Sequence, residues 1–160
     1  MTEKDAVSNN KVKAVQYVEA LLHVTSELYQ INSSSILITD DFLCDISVFF
    51  KKKMIKELQA LMKKVPLKLS NLYLAKEKVI VKPGFQVISG ANNKYLYEIN
   101  KQKNPPYRVA FGFSEDKSMI VLLGIFFKGA NNWENIIKRI TVNKNRIEKA
   151  CQITFFERGK

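Results

Sequence analysis

Residues 107–129, YRVAFGFSEDKSMIVLLGIFFKG, are two apolar runs around a polar turn, and no other stretch limits the fold as much. Each run has strand length, and SEDKS supplies the turn chemistry that joins two strands antiparallel. Side chains alternate faces along a strand. In the first run one face carries Tyr107, Val109, Phe111 and Phe113, and the other carries Arg108, Ala110 and Gly112. With SEDKS as a five-residue connection, Phe113 is expected opposite Met119, Phe111 opposite Val121 and Val109 opposite Leu123. That register sets Arg108 across from Gly124, with Lys128 on the same face about 13 Å further along at a rise of about 3.3 Å per residue. The bulky face is expected to pack on helices. The other holds a cation bordered by Ala110, Gly112 and Gly124, leaving room for a large group to approach the guanidinium, whose fork suits phosphate. An ordinary strand arginine paired with Glu98 fits the same residues, and the residues alone do not choose.

The pattern upstream is helical. Residues 1–10 read as disordered and 11–30 as a helix, with Val15, Val18, Leu21, Leu22, Thr25 and Leu28 at three- and four-residue spacing. His23, between Glu19 and Glu27, lies off that stripe and reads as solvated. Ile36–Thr39 reads as a short strand. Asp40 or Asp41 caps a long helix running to about Lys64, on which Lys51, Lys52 and Lys53 point in three directions. Pro66 opens another helix whose end, near Ile80, turns to strand. Lys82–Asn93 holds a short strand among turn residues, and Lys94–Asn100 is a strand of the meander that continues through the hairpin. After Lys128 come one or two helices, the last capped by Asn143. The order predicts an α+β fold: N-terminal helices, a three- to four-stranded antiparallel sheet with helices on one face, and a C-terminal helix.

The chain of 160 residues fits one compact unit, an acidic N-terminal extension (1–33) and an α+β domain (34–160). No apolar run is long enough to span a bilayer and no signal-peptide pattern opens the chain. Cys44 and Cys151 read as free thiols of a cytoplasmic protein, and a single histidine gives no basis for a zinc site. The net charge is +11, but its distribution is more informative: residues 1–50 hold 3 basic and 7 acidic side chains, residues 51–160 hold 23 and 8. Such segregation points to a field aimed at a polyanion, or to two segments that attract one another. The acidic extension then packs on the basic domain, completes its core or makes a homodimer contact. Without a long basic amphipathic stretch bearing an aromatic face, nucleic acid is a better partner than membrane. Lys138 and Arg139, after the last strand, are candidate nucleic-acid contacts.

From Lys94 onward the pieces LYEIN, YRVAFGF and IVLLGIFFKGANNWENI resemble the RelE/HigB-like toxins of bacterial and phage toxin–antitoxin systems. They are similar to that family's Leu-Tyr-Glu-Leu strand, its Tyr-Arg-aliphatic strand, and its Leu-Leu…Phe-Lys strand leading into a helix. The resemblance implies a metal-independent mRNA endonuclease, needing no cofactor, acting on mRNA on or near the ribosome and neutralised by a cognate antitoxin. In that chemistry the ribose 2′-OH attacks the adjacent phosphate and expels the 5′-oxygen. Position by position, Arg108 becomes the phosphate-stabilising arginine and Lys128 the cation that ends the last strand. Lys101 and Lys103 hold the backbone, and Glu98 or Tyr107 moves the proton, although parity turns Tyr107 toward the core. The chain departs from the family at Asn100, where many relatives carry arginine, and at its end, where Phe155, Phe156 and Arg158 stand in place of a catalytic tyrosine. A non-catalytic RNA- or DNA-binding module, a ParE-like protein acting on gyrase, and a mobile-element interaction protein are the alternatives.

Overall fold

The computed structural model describes residues 3–81, 85–88, 94–99, 107–127 and 132–159. The fold is α+β. In order, the described elements are α1 (Glu3–Tyr29), β1 (Ile36–Ile38), α2 (Asp40–Lys51), α3 (Ile55–Met62), α4 (Val65–Ala75), β2 (Phe85–Val87), β3 (Tyr97–Ile99), β4 (Tyr107–Phe113), β5 (Ile120–Phe127) and α5 (Asn132–Cys151). Strand order is β1-β5-β4-β3-β2. β2 to β5 form the expected antiparallel meander, whereas β1 adds a fifth strand, parallel to β5. A parallel neighbour needs a long connection, here everything from α2 through β4.

The hairpin is out of the expected register by two residues, for two separate reasons. Asp116 folds the turn: its Oδ1 accepts from the Ser114 hydroxyl (2.7 Å) and from the Ser118 hydroxyl and N–H (2.7 and 3.0 Å). Phe113 then faces Ile120 instead of Met119. A bulge follows at Leu123, so that Ala110, not Arg108, faces Gly124, and Arg108 faces Phe126. The same hydrogen bonds, those of Ser118 foremost, hold the Asp116 carboxyl down at about 2. A depressed carboxylate adds stability that is complete above about pH 4 and lost as the pH falls through its folded value. Asp116→Asn is therefore expected to flatten the fall in Tm between about pH 4 and pH 2, which thermal melts across that range will read.

The helices bury one face of the sheet. Ala14, Val18, Leu21, Phe42, Ile46, Leu58, Leu61, Leu69 and Leu72 share one core with Tyr97, Val109, Phe111, Phe113 and Ile120. α1 begins at Glu3, not after a disordered decapeptide, and it packs against α2 and α4. α2 is capped by Thr39, whose Oγ1 accepts from the Phe42 N–H at 3.2 Å, while Asp40 and Asp41 occupy its first turn. The predicted single helix to Lys64 is two helices. Lys53 takes φ 56°, its N–H donating to Phe50 O and that of Met54 to Phe49 O. That paired closure ends a helix and turns the chain, so α2 and α3 each present an apolar side to the core. α4 runs on into a 3-10 segment, Lys76–Val81, where a strand was expected, and α5 is unbroken through Asn143.

The second face is not open. α5 lies across it, and Ile136, Ile140, Ile147 and Phe155 pack with Leu96, Ala110, Val121, Leu123 and Phe126. The small residues receive this layer. A Cβ on Gly112 would meet the Phe155 ring at 3.1 Å, and one on Gly124 would meet Arg139, with Asp45 and Ile136 at 2.9 Å. Both faces are filled, which corrects the expectation of helices on one face only. Among the described residues, no helix is long and apolar enough to cross a membrane.

Candidate nucleic-acid interface

Arg108 and Glu98 fall on adjacent strands and on the α5 face, because Glu98 pairs with Ala110, two residues along from Arg108. Long side chains on such diagonal neighbours reach one another. Both are buried, Glu98 at 6% and Arg108 at 8% exposure. Arg108 Nη1 donates to the Tyr107 carbonyl at 3.0 Å. Burial pulls the guanidinium below its ordinary value, and the Glu98 charge pulls the other way. The arginine thus lies on the same covered face as the carboxylate whose charge it feels, and opposite Phe126 instead of Gly124. Tyr107 turns to the helix face as expected, its ring edge-on to Phe49 at 5.0 Å and to Phe127 at 5.6 Å.

Lys101, Lys103 and Lys128 lie outside the described residues, as does Asn100. In the chain, Lys101 and Lys103 follow Ile99 and Lys128 follows Phe127 directly. Ile99 pairs with Val109 and Phe127 with Tyr107, so both strands end where β4 begins, the end of the sheet that holds Arg108.

The other two candidates diverge. Lys138 is exposed. Arg139 is engaged: its two terminal nitrogens donate to Asp45 at 3.0 and 2.8 Å. Asp45 also accepts the Ile125 N–H at 2.8 Å, at a point where β5 has run past β1 and its edge has no strand partner. Burial works against the Arg139 charge, but Asp45 outweighs it and holds the guanidinium above its ordinary value. Arg146 of α5 lies 3.6 Å from Asp41, which shares α2 with Asp45. Acidic α2 and basic α5 thus clamp the edge of β5, which accounts for part of the charge segregation as internal attraction. Arg139 is a brace, not a free phosphate ligand.

The C-terminal residues serve the opposite end of the sheet. Ser114 bridges Phe155, Phe156 N–H donates to Phe113 O, and Arg158 donates to the carbonyls of Lys94 and Leu96. Ser114 is six residues from Arg108 along the strand, about 20 Å at the usual rise. A groove of about 690 Å³ lies there. Its charges hold the tail, for Lys144 contacts Glu148 and Glu157 at 3.4 Å and Glu148 accepts the Phe155 N–H. Phe155, Phe156 and Arg158 therefore do not replace a catalytic tyrosine near Arg108. Exposed His23 lies 3.7 Å from Glu27. Among the described residues, no group of three or more His, Cys, Asp or Glu side chains is placed to hold a metal.

The chain matches no family model, no curated protein and no solved structure.

Proposed function

We propose that this chain is a RelE/HigB-like RNA endonuclease that cuts without a metal. The observation carrying this reading is the Glu98–Arg108 neighbourhood, a carboxylate beside a guanidinium at the end of the sheet from which the lysine-bearing segments depart. In the resting protein the Glu98 charge favours the charged guanidinium. When RNA enters, Arg108 turns its fork to the non-bridging oxygens of the scissile phosphate. Glu98 takes the proton of the ribose 2′-OH as that oxygen bonds to the adjacent phosphorus. The bond from phosphorus to the 5′-oxygen breaks, leaving a 2′,3′-cyclic phosphate, and the 5′-oxygen takes a proton from water. Arg108 stabilises the charge that builds on the phosphorane. Lys128, Lys101 and Lys103 are assigned to the RNA backbone by the family resemblance, which also supplies the cognate antitoxin as partner.

The test is cleavage of mRNA by purified protein in chelator, with and without translating ribosomes. Fragments ending in cyclic phosphate and 5′-OH are expected. Folded Glu98→Gln and Arg108→Lys variants should cut at least about 100-fold more slowly, the usual share of a general base or charge stabiliser. Wild-type rates in both variants overturn the assignment. The depth at which both charges lie favours a second reading, a non-catalytic nucleic-acid-binding protein in which the pair is structural. RNA bound but left intact by the wild type in both settings selects it.

A further inference from the structure

A rim of lysines crosses the same end of the sheet on the helix face. Phe85, Ile99, Val109 and Ile125 form one row across the sheet, and Tyr107 pairs with Phe127 one row further out. At the β5 side of this end, Lys52 and Met54 line a cavity of about 140 Å³ with Tyr107 and Ile125. At the β2 side, Lys68 lies over the Phe85 ring, 5.0 Å from its centroid. Along the chain, α3, about 12 Å long at the helical rise, and the first turn of α4 lie between these two points. Residues 51–68 hold seven lysines, Lys51, Lys52, Lys53, Lys56, Lys63, Lys64 and Lys68, against one acid, Glu57. The first six are exposed, and none of them forms an ion pair among the described residues.

Cations are favoured at helix C-termini, which accounts for single lysines after α2 and α3. It does not account for six uncompensated ones in one rim, nor for the aromatic beside them. Phe49, Tyr107 and Phe127 step outward from the core edge to edge, and Phe127 is 43% exposed. An exposed ring bordered by cations is the arrangement that holds single-stranded nucleic acid, with a base on the ring and phosphates on the lysines. A bilayer is a poor fit, since the exposed positions of α3 are Lys56, Glu57, Gln59 and Ala60, followed by Lys63.

We propose that Phe127 and the lysines of the α2–α3 turn form a track that binds single-stranded RNA and leads it to the Glu98–Arg108 end of the sheet. The proposal rests on the endonuclease reading only for the choice of RNA. The probe is a fluorescein-labelled, fully 2′-O-methylated oligoribonucleotide of about 12 nucleotides, which has no 2′-OH to attack; its affinity is read by anisotropy between about 50 and 200 mM salt. Replacing Lys51, Lys52, Lys53 and Lys56 together by Gln should lower the log–log salt slope by roughly 2 to 3, at about 0.7 per phosphate on a single strand. Phe127→Ala should weaken binding at least about fivefold and Phe127→Trp should restore it, as stacking requires. These side chains are exposed, and circular dichroism will confirm that each variant folds. Unchanged slope and affinity in the lysine and Phe127→Ala variants overturn the track, even where Arg108→Lys abolishes cleavage. Weakened binding in both, alongside wild-type cleavage by Arg108→Lys, upholds the track and refutes the cutting site.

Discussion

Arg108→Ala is expected to destabilise the protein by about 2–3 kcal/mol, because it removes a buried guanidinium that donates to the Tyr107 carbonyl and whose charge Glu98 favours. Glu98→Ala should cost about as much, because it removes the buried carboxylate that favours the Arg108 charge. Removing both charges with Glu98→Leu and Arg108→Met should restore most of the loss. Two apolar side chains avoid desolvation altogether, and the surroundings, Ala110, Phe126 and Leu96, are already apolar. Urea unfolding of the four proteins measures the coupling directly. Single losses that merely add, with no recovery in the double variant, would show that the two side chains do not act on one another. The restored double variant also separates the two readings of the pair. If the pair is structural, the folded double variant binds and processes RNA like the wild type. If it is catalytic, the double variant is stable and inert.

The second large effect is expected at the edge of β5. Asp45→Ala removes the acceptor of the Ile125 N–H and both carboxylate oxygens that hold Arg139 at once. Arg139 keeps 36% of its side chain in solvent and recovers part of its hydration, so the expected cost is about 2–4 kcal/mol, not the full penalty of a stranded charge. Gly124→Ala attacks the same brace by crowding. Its methyl would press on Arg139, Asp45 and Ile136, and overpacking of this kind costs about 1–3 kcal/mol. Because the two substitutions disturb one contact set, their double variant should lose less than the sum. Losses below about 1 kcal/mol for Asp45→Ala would mean that the clamp between α2 and α5 is not what holds this edge.

The α+β class was legible because the two apolar runs of the hairpin could be little else, and the short strands at Ile36 and within Lys82–Asn93 were found from local turn chemistry. The direction of β1 was not, since three residues carry no sign of which neighbour they will pair with. Gly112 and Gly124 misled for a physical reason: a small residue on a strand looks the same whether a ligand or a helix fills the space. Here Phe155 and α5 fill it. The break after α2 was hidden because the left-handed position is a lysine, where glycine would have announced the turn. That hidden turn also changed the meaning of Lys51, Lys52 and Lys53. On a continuous helix they diverge; here they fall at a helix end, where Lys52 lines a cavity with Tyr107. The charge imbalance between the two halves was a true signal with two causes, α2 held against α5 and a lysine rim on the helix face.

RNA cleavage is the central claim. Inducing the wild type and the Glu98→Gln variant in cells and mapping transcript 5′-ends tests it most directly. The wild type should arrest growth and generate new 5′-OH ends within coding regions, and Glu98→Gln, made to equal levels, should generate none. Intact transcripts and undisturbed growth on induction of the wild type would contradict it.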